Sequence, residues 1–225
     1  MRERGIIFNA EMVRAVLEGR KTQTRRIMKV QPESNQLGLL RITASTNRSD
    51  TGKYHWAESN ATGNHVRSKL FACPFGAVGD RLWVREAFRV HSRPTDVATL
   101  VYKSSEKQSW THQTHRVPIE KCNKPAVVDK WTPSIHMPRW ASRITLEITG
   151  VRVERLWDIT EDDAKAEGCT FEALRFQPGT REVEEMGHTA VYQFGGLWQS
   201  IYGEESWQAN PWVWVIEFKR VEGDA

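Results

Sequence analysis

The run Trp212-Val213-Trp214-Val215-Ile216-Glu217-Phe218-Lys219 sets five apolar side chains in succession before it turns to alternation. Successive side chains of a strand point to opposite faces, so such a run is the mark of a strand buried on both faces for half its length. A clear companion is the alternation of Ile144, Leu146 and Ile148 with polar residues; Gly150 breaks or bulges that run, and Val151, Val153 and Leu156 carry it on. Further strands are expected over Leu82, Trp83, Val84 and Ala87, opened by the turn Gly79-Asp80 and broken by charge, and at Val97 to Tyr102.

Helices are short and few. Asn9 is a good N-cap for a helix carrying Met12, Val13, Val16 and Leu17, entered from the extended Ile6 to Phe8 and ended by Gly19. Thr160 and Asp163 form a capping box with Asp in place of Glu, opening a helix through Ala164 to Glu167 that stops at Gly168. A helical period returns at Val191, Phe194, Leu197, Trp198 and Ile201, closed by Gly203, with Gly195-Gly196 weakening it in the middle. Helices do not follow strands regularly, so the class is α+β, a mixed β-barrel with a few short helices. Two long insertions interrupt it, at about 31–78 and 86–142. The first is rich in Ser, Asn, Thr and Gly, with one hairpin pairing Leu39 to Thr43 with Lys53 to Trp56; the second carries five prolines, four of them from Pro118 to Pro138, too many for a helix. At 225 residues with 39% hydrophobic content the chain reads as a single domain over 1–225 with a real core.

Composition removes some functions. No stretch approaches the roughly 20 consecutive apolar residues of a membrane span, so a cytoplasmic protein without a membrane partner is expected. Cys73, Cys122 and Cys169 are too scattered for a disulfide framework and are expected as free thiols. Lys and Arg outnumber Asp and Glu by 32 to 28, too small a surplus to demand a polyanion. Ten tryptophans are many, and several neighbour basic residues, as at Trp83 and Trp140. Stacking on bases and ordinary core packing both use such rings, and about two in three are expected in the core. There is no glycine-rich phosphate loop and no GxSxG segment, which argues against a nucleoside-triphosphate enzyme and a serine hydrolase of that type. His112, His115 and Cys122 are suitable zinc ligands without a fourth at sensible spacing, so no metal and no cofactor are expected.

The segment Gly19-Arg20-Lys21-Thr22-Gln23-Thr24-Arg25-Arg26 carries the pattern GxKxxxxR. On residues alone it is a solvated basic loop. With Gly79-Asp80-x-Leu82-x-Val84, Ile159-Thr160-Glu161 through Glu167, and Val215-Ile216-Glu217-Phe218, it gives four landmarks in one order, and in this the chain resembles the ASCH family, phage and prophage members included. The resemblance implies a PUA-like β-barrel with a cleft beside the signature. Some small members are amidohydrolases that remove the acetyl group of N-acetylcytidine with a Lys, a Thr and a Glu, which carry over as Lys21, Thr24 and Glu167. The insertions depart from those small members.

The chemistry can be argued separately. Amide hydrolysis needs a nucleophile, a base for its proton and a donor to the departing amine. Lys21 serves as base only if burial or Arg25 and Arg26 lower its pKa, whereas a carboxylate at Glu167 raises it. Thr24 would supply or position the attacking oxygen. Arg20, Arg25, Arg26, Trp83, Arg85, Arg139 and Trp140 are the candidate contacts to a nucleoside or nucleic acid, Arg26 foremost, since a guanidinium fork matches phosphates and base edges. Three functions remain open: an amidohydrolase of a modified nucleoside, a non-catalytic RNA-binding module, and a ribonuclease using His112, His115 or His136.

Overall fold

The computed structural model describes residues 1–60, 63–170 and 189–221. In chain order its elements are β1 (Glu3–Ile7), α1 (Ala10–Leu17), β2 (Gln23–Ile27), β3 (Gly38–Arg41), β4 (Tyr54–Asn60), β5 (Gly63–Val66), β6 (Arg81–Arg85), β7 (Phe88–Ser92), β8 (Val97–Tyr102), α2 (Trp110–Gln113), β9 (Thr114–Pro118), β10 (Thr145–Arg155), α3 (Glu161–Ala166), α4 (Ala190–Tyr202), α5 (Glu204–Gln208) and β11 (Trp212–Arg220). The class is α+β, as expected.

The central sheet has the order β1-β6-β10-β11-β2, with β1 parallel to β6 and the other neighbours antiparallel. β11 lies between two partners and covers both its faces. Trp214, Ile216 and Phe218 join a core with Ile6, Phe8, Val13, Leu82 and Leu146, while Val213 and Val215 join a second one with Leu156, Phe194 and Trp198. The continuous apolar run is thus explained by helix α1 on one side and by α3 and α4 on the other. β10 pairs along its whole length with β11, and its register shifts between Ile148 and Gly150, where the sequence marks a break.

The described strands do not close into a barrel. β1 and β2 stand at the two edges and share no ladder. Closure needs every strand paired on both sides; here a side chain crosses the seam instead, with Arg26 of β2 donating through Nη2 to the Ile7 carbonyl at 2.8 Å.

Both insertions are folded. The first forms the sheet β3-β4-β5, whose Trp56 is 1% exposed and belongs to the main core; its ring lies 5.3 Å from that of Trp212. The hairpin expected there is the β3–β4 pair. The second forms the sheet β7-β8-β9 around its own core of Phe88, Val90, Leu100, Tyr102 and Met137. Glu86 and Arg143, ion-paired at 2.9 Å and largely buried, tie this layer to the central sheet, and Arg143 also donates to the hydroxyls of Ser104 and Ser105. Among the described residues no helix is long and apolar enough to cross a membrane.

Candidate active site

The segment after α1 is not a solvated loop. Helix α1 ends at Glu18 and Gly19, whose φ of 75° turns the chain back, and the backbone N–H groups of Arg20 and Lys21 both donate to the Ala15 carbonyl, at 2.8 and 3.0 Å. The chain then runs beside the end of α3. Lys21 bridges Glu167 and the Thr22 N–H donates to the Ala166 carbonyl at 2.8 Å, which fixes the two segments backbone to backbone. Glu167 is the C-cap of α3, and Gly168 follows with a φ of 93°.

That pairing buries an ammonium against a carboxylate. Lys21 Nζ donates to Glu167 Oε2 at 2.6 Å and to the Glu167 carbonyl at 2.7 Å, with the two side chains 0% and 2% exposed. The Phe8 ring lies 5.5 Å from Nζ. Burial pushes Lys21 below the ordinary lysine value; Glu167 opposes that shift by charge and hydrogen bond, and Arg26 adds to it. Cys169, close by, is pushed up to about 11, chiefly by burial and then by the Glu167 charge, so its thiol stays protonated at neutral pH.

Arg25 joins the same buried cluster. Its guanidinium is fully enclosed, with Nη2 at 3.0 Å from Glu154 and 3.1 Å from Asp163, and Nη1 at 3.7 Å from Glu167 Oε1. Arg25 Nε, Arg25 Nη1 and Glu167 Oε1 are buried without a hydrogen-bond partner, two donors and one acceptor close together. Strand alternation sends Gln23 and Arg25 one way and Thr24 and Arg26 the other. Gln23 donates to the Asp163 carbonyl and carboxylate at 2.8 and 3.1 Å, whereas Arg26 lies over Phe8 at 5.6 Å. Thr24 is buried, 1% exposed, on the strand that carries both groups.

Asp163 links the cluster to α3. Its side chain accepts from the Thr160 N–H at 3.3 Å while the Thr160 hydroxyl accepts from the Asp163 N–H at 3.1 Å, the capping box expected from sequence. Burial pushes the Asp163 carboxyl up, but the Gln23 amide, the Arg25 charge and the Thr160 donors outweigh it and hold the group down at about 2. A carboxyl that binds its proton less readily when folded stabilises fully above its ordinary range and loses that contribution as pH falls through the folded value. Wild type should therefore lose ~1–2 kcal/mol between about pH 4 and 2 from this group, after allowance for solvent screening. Urea titrations of Asp163→Asn over that range are expected to show a correspondingly flatter acid limb.

The other expected contacts are distributed elsewhere. Arg20 donates to Glu18 and, at 2.8 Å, to the Gly168 carbonyl, at the rim of a concave space of about 570 Å³ between α1 and α4. Glu167, Gly168 and Cys169 form part of its wall; Lys21 lies behind Glu167 and is not part of it. Trp83 and Arg85 are on β6, separated from β2 by β10 and β11, with the Arg85 guanidinium 5.4 Å over the Trp83 ring. Arg139 pairs with Glu3 at 2.9 Å beside β1, and Trp140 packs edge-on against Phe88 in the core of the second insertion. Among the described residues no three His, Cys, Asp or Glu side chains are grouped to hold a metal. His112 bonds the Ser109 hydroxyl at 2.6 Å, and His115 is pushed down by burial and by Arg143.

Glu154 and Asp163 as holders of Arg25, and Gln23 as the donor that holds Asp163, were not read from the sequence as site residues. Their signal is faint but present: Arg152 and Glu154 are charges alternating with Val151 and Val153, and Asp163 is already the partner of Thr160 in the capping box. Comparison of the chain with family models, with curated proteins and with solved structures returns no match.

Proposed function

We propose that the chain is an ASCH-type amidohydrolase on a PUA-like frame, cleaving an acyl amide on the exocyclic amine of a nucleoside. The observation that carries the reading is the contact between Lys21 and Glu167. Two residues 146 positions apart, singled out by the GxKxxxxR signature and by the end of a short helix, meet at 2.6 Å in a buried cluster. The electrostatic requirement for a lysine base, a pKa held below its ordinary value, is met in direction by burial and by Arg26.

In this scheme a neutral Lys21 amine takes a proton as water, or the Thr24 hydroxyl, adds to the acyl carbonyl carbon. The carbon–nitrogen bond then breaks and the proton passes to the departing amine, leaving the free nucleoside and, where water attacks, a carboxylic acid; where the Thr24 hydroxyl attacks, an acyl ester on Thr24 is left, which a water molecule then hydrolyses to the acid and free Thr24. Glu167 holds the Lys21 amine through Oε2 and its own carbonyl. Glu167 is also the member of the cluster that reaches the cavity wall, the route by which a substrate would approach.

The test is incubation with N-acetylcytidine, following cytidine release. Wild type is expected to turn over and Lys21→Met to fall to the background rate, with Thr24→Val reduced as well. Equal rates for wild type and Lys21→Met would remove the hydrolase reading for this substrate.

A further inference from the structure

Helix α4 carries two adjacent glycines, and only the first has a packing reason. A Cβ on Gly195 would meet the Trp207 ring at 3.3 Å, whereas a Cβ on Gly196 would meet nothing within 4 Å. Glycine inside a helix weakens it relative to alanine, and no contact among the described residues requires one at this position. Gly196 borders the 570 Å³ space between α1 and α4. That volume lies in the range of small-molecule pockets, ~300–1,000 Å³.

The surroundings suit a flat polar ring. Tyr192 stands one helical turn before Gly196, hence on the same side of α4, and is 58% exposed although aromatic. Gln193 contributes an amide with both donors and an acceptor, and Arg20 stands on the opposite wall. Bare backbone permits close approach of a ring, a neighbouring aromatic gives it a stacking partner, and an amide can read a base edge.

We propose that this space is the subsite for the base of a free nucleoside, the ring lying along the Gly196 backbone beside Tyr192, with its substituted amine turned towards Glu167. The nucleoside identity rests on the amidohydrolase reading; the subsite itself rests on the cavity, the unexplained glycine and the exposed tyrosine.

The test titrates cytidine and N-acetylcytidine into wild type, Gly196→Phe, Gly196→Ala and Tyr192→Ala by calorimetry, with circular dichroism as a check of folding. Gly196→Phe fills the space and is expected to weaken binding by about tenfold or more, and Tyr192→Ala by roughly fivefold to tenfold through lost stacking. Gly196→Ala should melt no lower, since its methyl group meets no described atom within 4 Å, and should bind more weakly than wild type but less so than Gly196→Phe, since the methyl group intrudes on the face along which the ring lies. If Gly196→Phe does not fold, Tyr192→Ala decides alone, because its side chain is exposed. Failure of wild type to bind either nucleoside, or unchanged affinity in both Gly196→Phe and Tyr192→Ala, overturns the subsite. The two proposals fail separately. Weakened binding in these variants together with full turnover by Lys21→Met sinks the hydrolase and leaves the subsite, whereas loss of turnover in Lys21→Met with full affinity in the α4 variants does the reverse.

Discussion

Glu167→Ala is expected to destabilise the protein by ~3–5 kcal/mol, the usual cost of removing one partner from a buried ion pair. Among the described residues the carboxylate is the only acidic group given to Lys21 Nζ, and after its loss the amine retains, among them, the Glu167 carbonyl alone. Arg25 keeps Glu154 and Asp163, so the cost falls mainly on the lysine. The double replacement Lys21→Met with Glu167→Leu should recover most of the loss, because apolar side chains of similar volume need no compensating charge. Urea midpoints of the two single variants and the double variant measure the coupling directly. A single-variant cost within about 0.5 kcal/mol, the range of ordinary surface changes, would show that the pair is not sequestered from water.

Gly168→Ala is expected to cost ~2–5 kcal/mol from two separate sources, about 1–2 for a side chain at positive φ and about 1–3 for overpacking. At a φ of 93° a Cβ would lie 2.8 Å from the Ala15 Cβ and 3.3 Å from the Lys21 Cβ. Neither neighbour is the far end of a flexible chain, so α1 or the Lys21 segment has to move. The same shift would part Lys21 from Glu167. The expected result is therefore a lowered melting temperature together with impaired turnover, in contrast to Gly196→Ala, which should leave the melting temperature unharmed. A Gly168→Ala protein as stable as wild type would mean that α3 does not press on α1 as described.

The parts of the fold that were legible in the sequence are those fixed by neighbours in the chain. The N-cap Asn9 accepts from the Met12 N–H at 2.8 Å, and the Thr160 box forms as its spacing implies. β10 and β11 declare themselves by period, down to the irregularity at Gly150. β5 does not: all four of its residues are exposed, and it is a strand only because β4 offers it a partner. β7 and β9 likewise depend on β8, and the parallel pairing of β1 with β6 joins segments 78 residues apart, a relation no local pattern records.

The site divides in the same manner. A short motif was enough to single out Lys21 and Glu167, but not the cage around Arg25. That cage exists because β2 pairs with β11 and β11 with β10, setting Arg25 opposite Val215, Val215 opposite Arg152, and so bringing Glu154 within reach. Arg26, expected foremost among the ligand contacts, has its guanidinium engaged by the Ile7 carbonyl across the open seam, a use that depends on where β1 falls in the sheet. Trp56 was read inside an irregular insertion and lies in the main core, because the insertion folds back against Trp212.

The ladder that aligns β2 has consequences for the order of assembly. Its hydrogen-bonded neighbour is β11, whose first residue lies 185 positions after the last of β2. A nascent chain leaving the ribosome therefore exposes residues 23–27 through nearly the whole of synthesis, with no strand to receive them. Pairings this distant are slow to form and leave unsatisfied edges in the interim. The Lys21 cluster should be among the late regions to gain protection from solvent exchange, appearing only once residues 212–220 have docked.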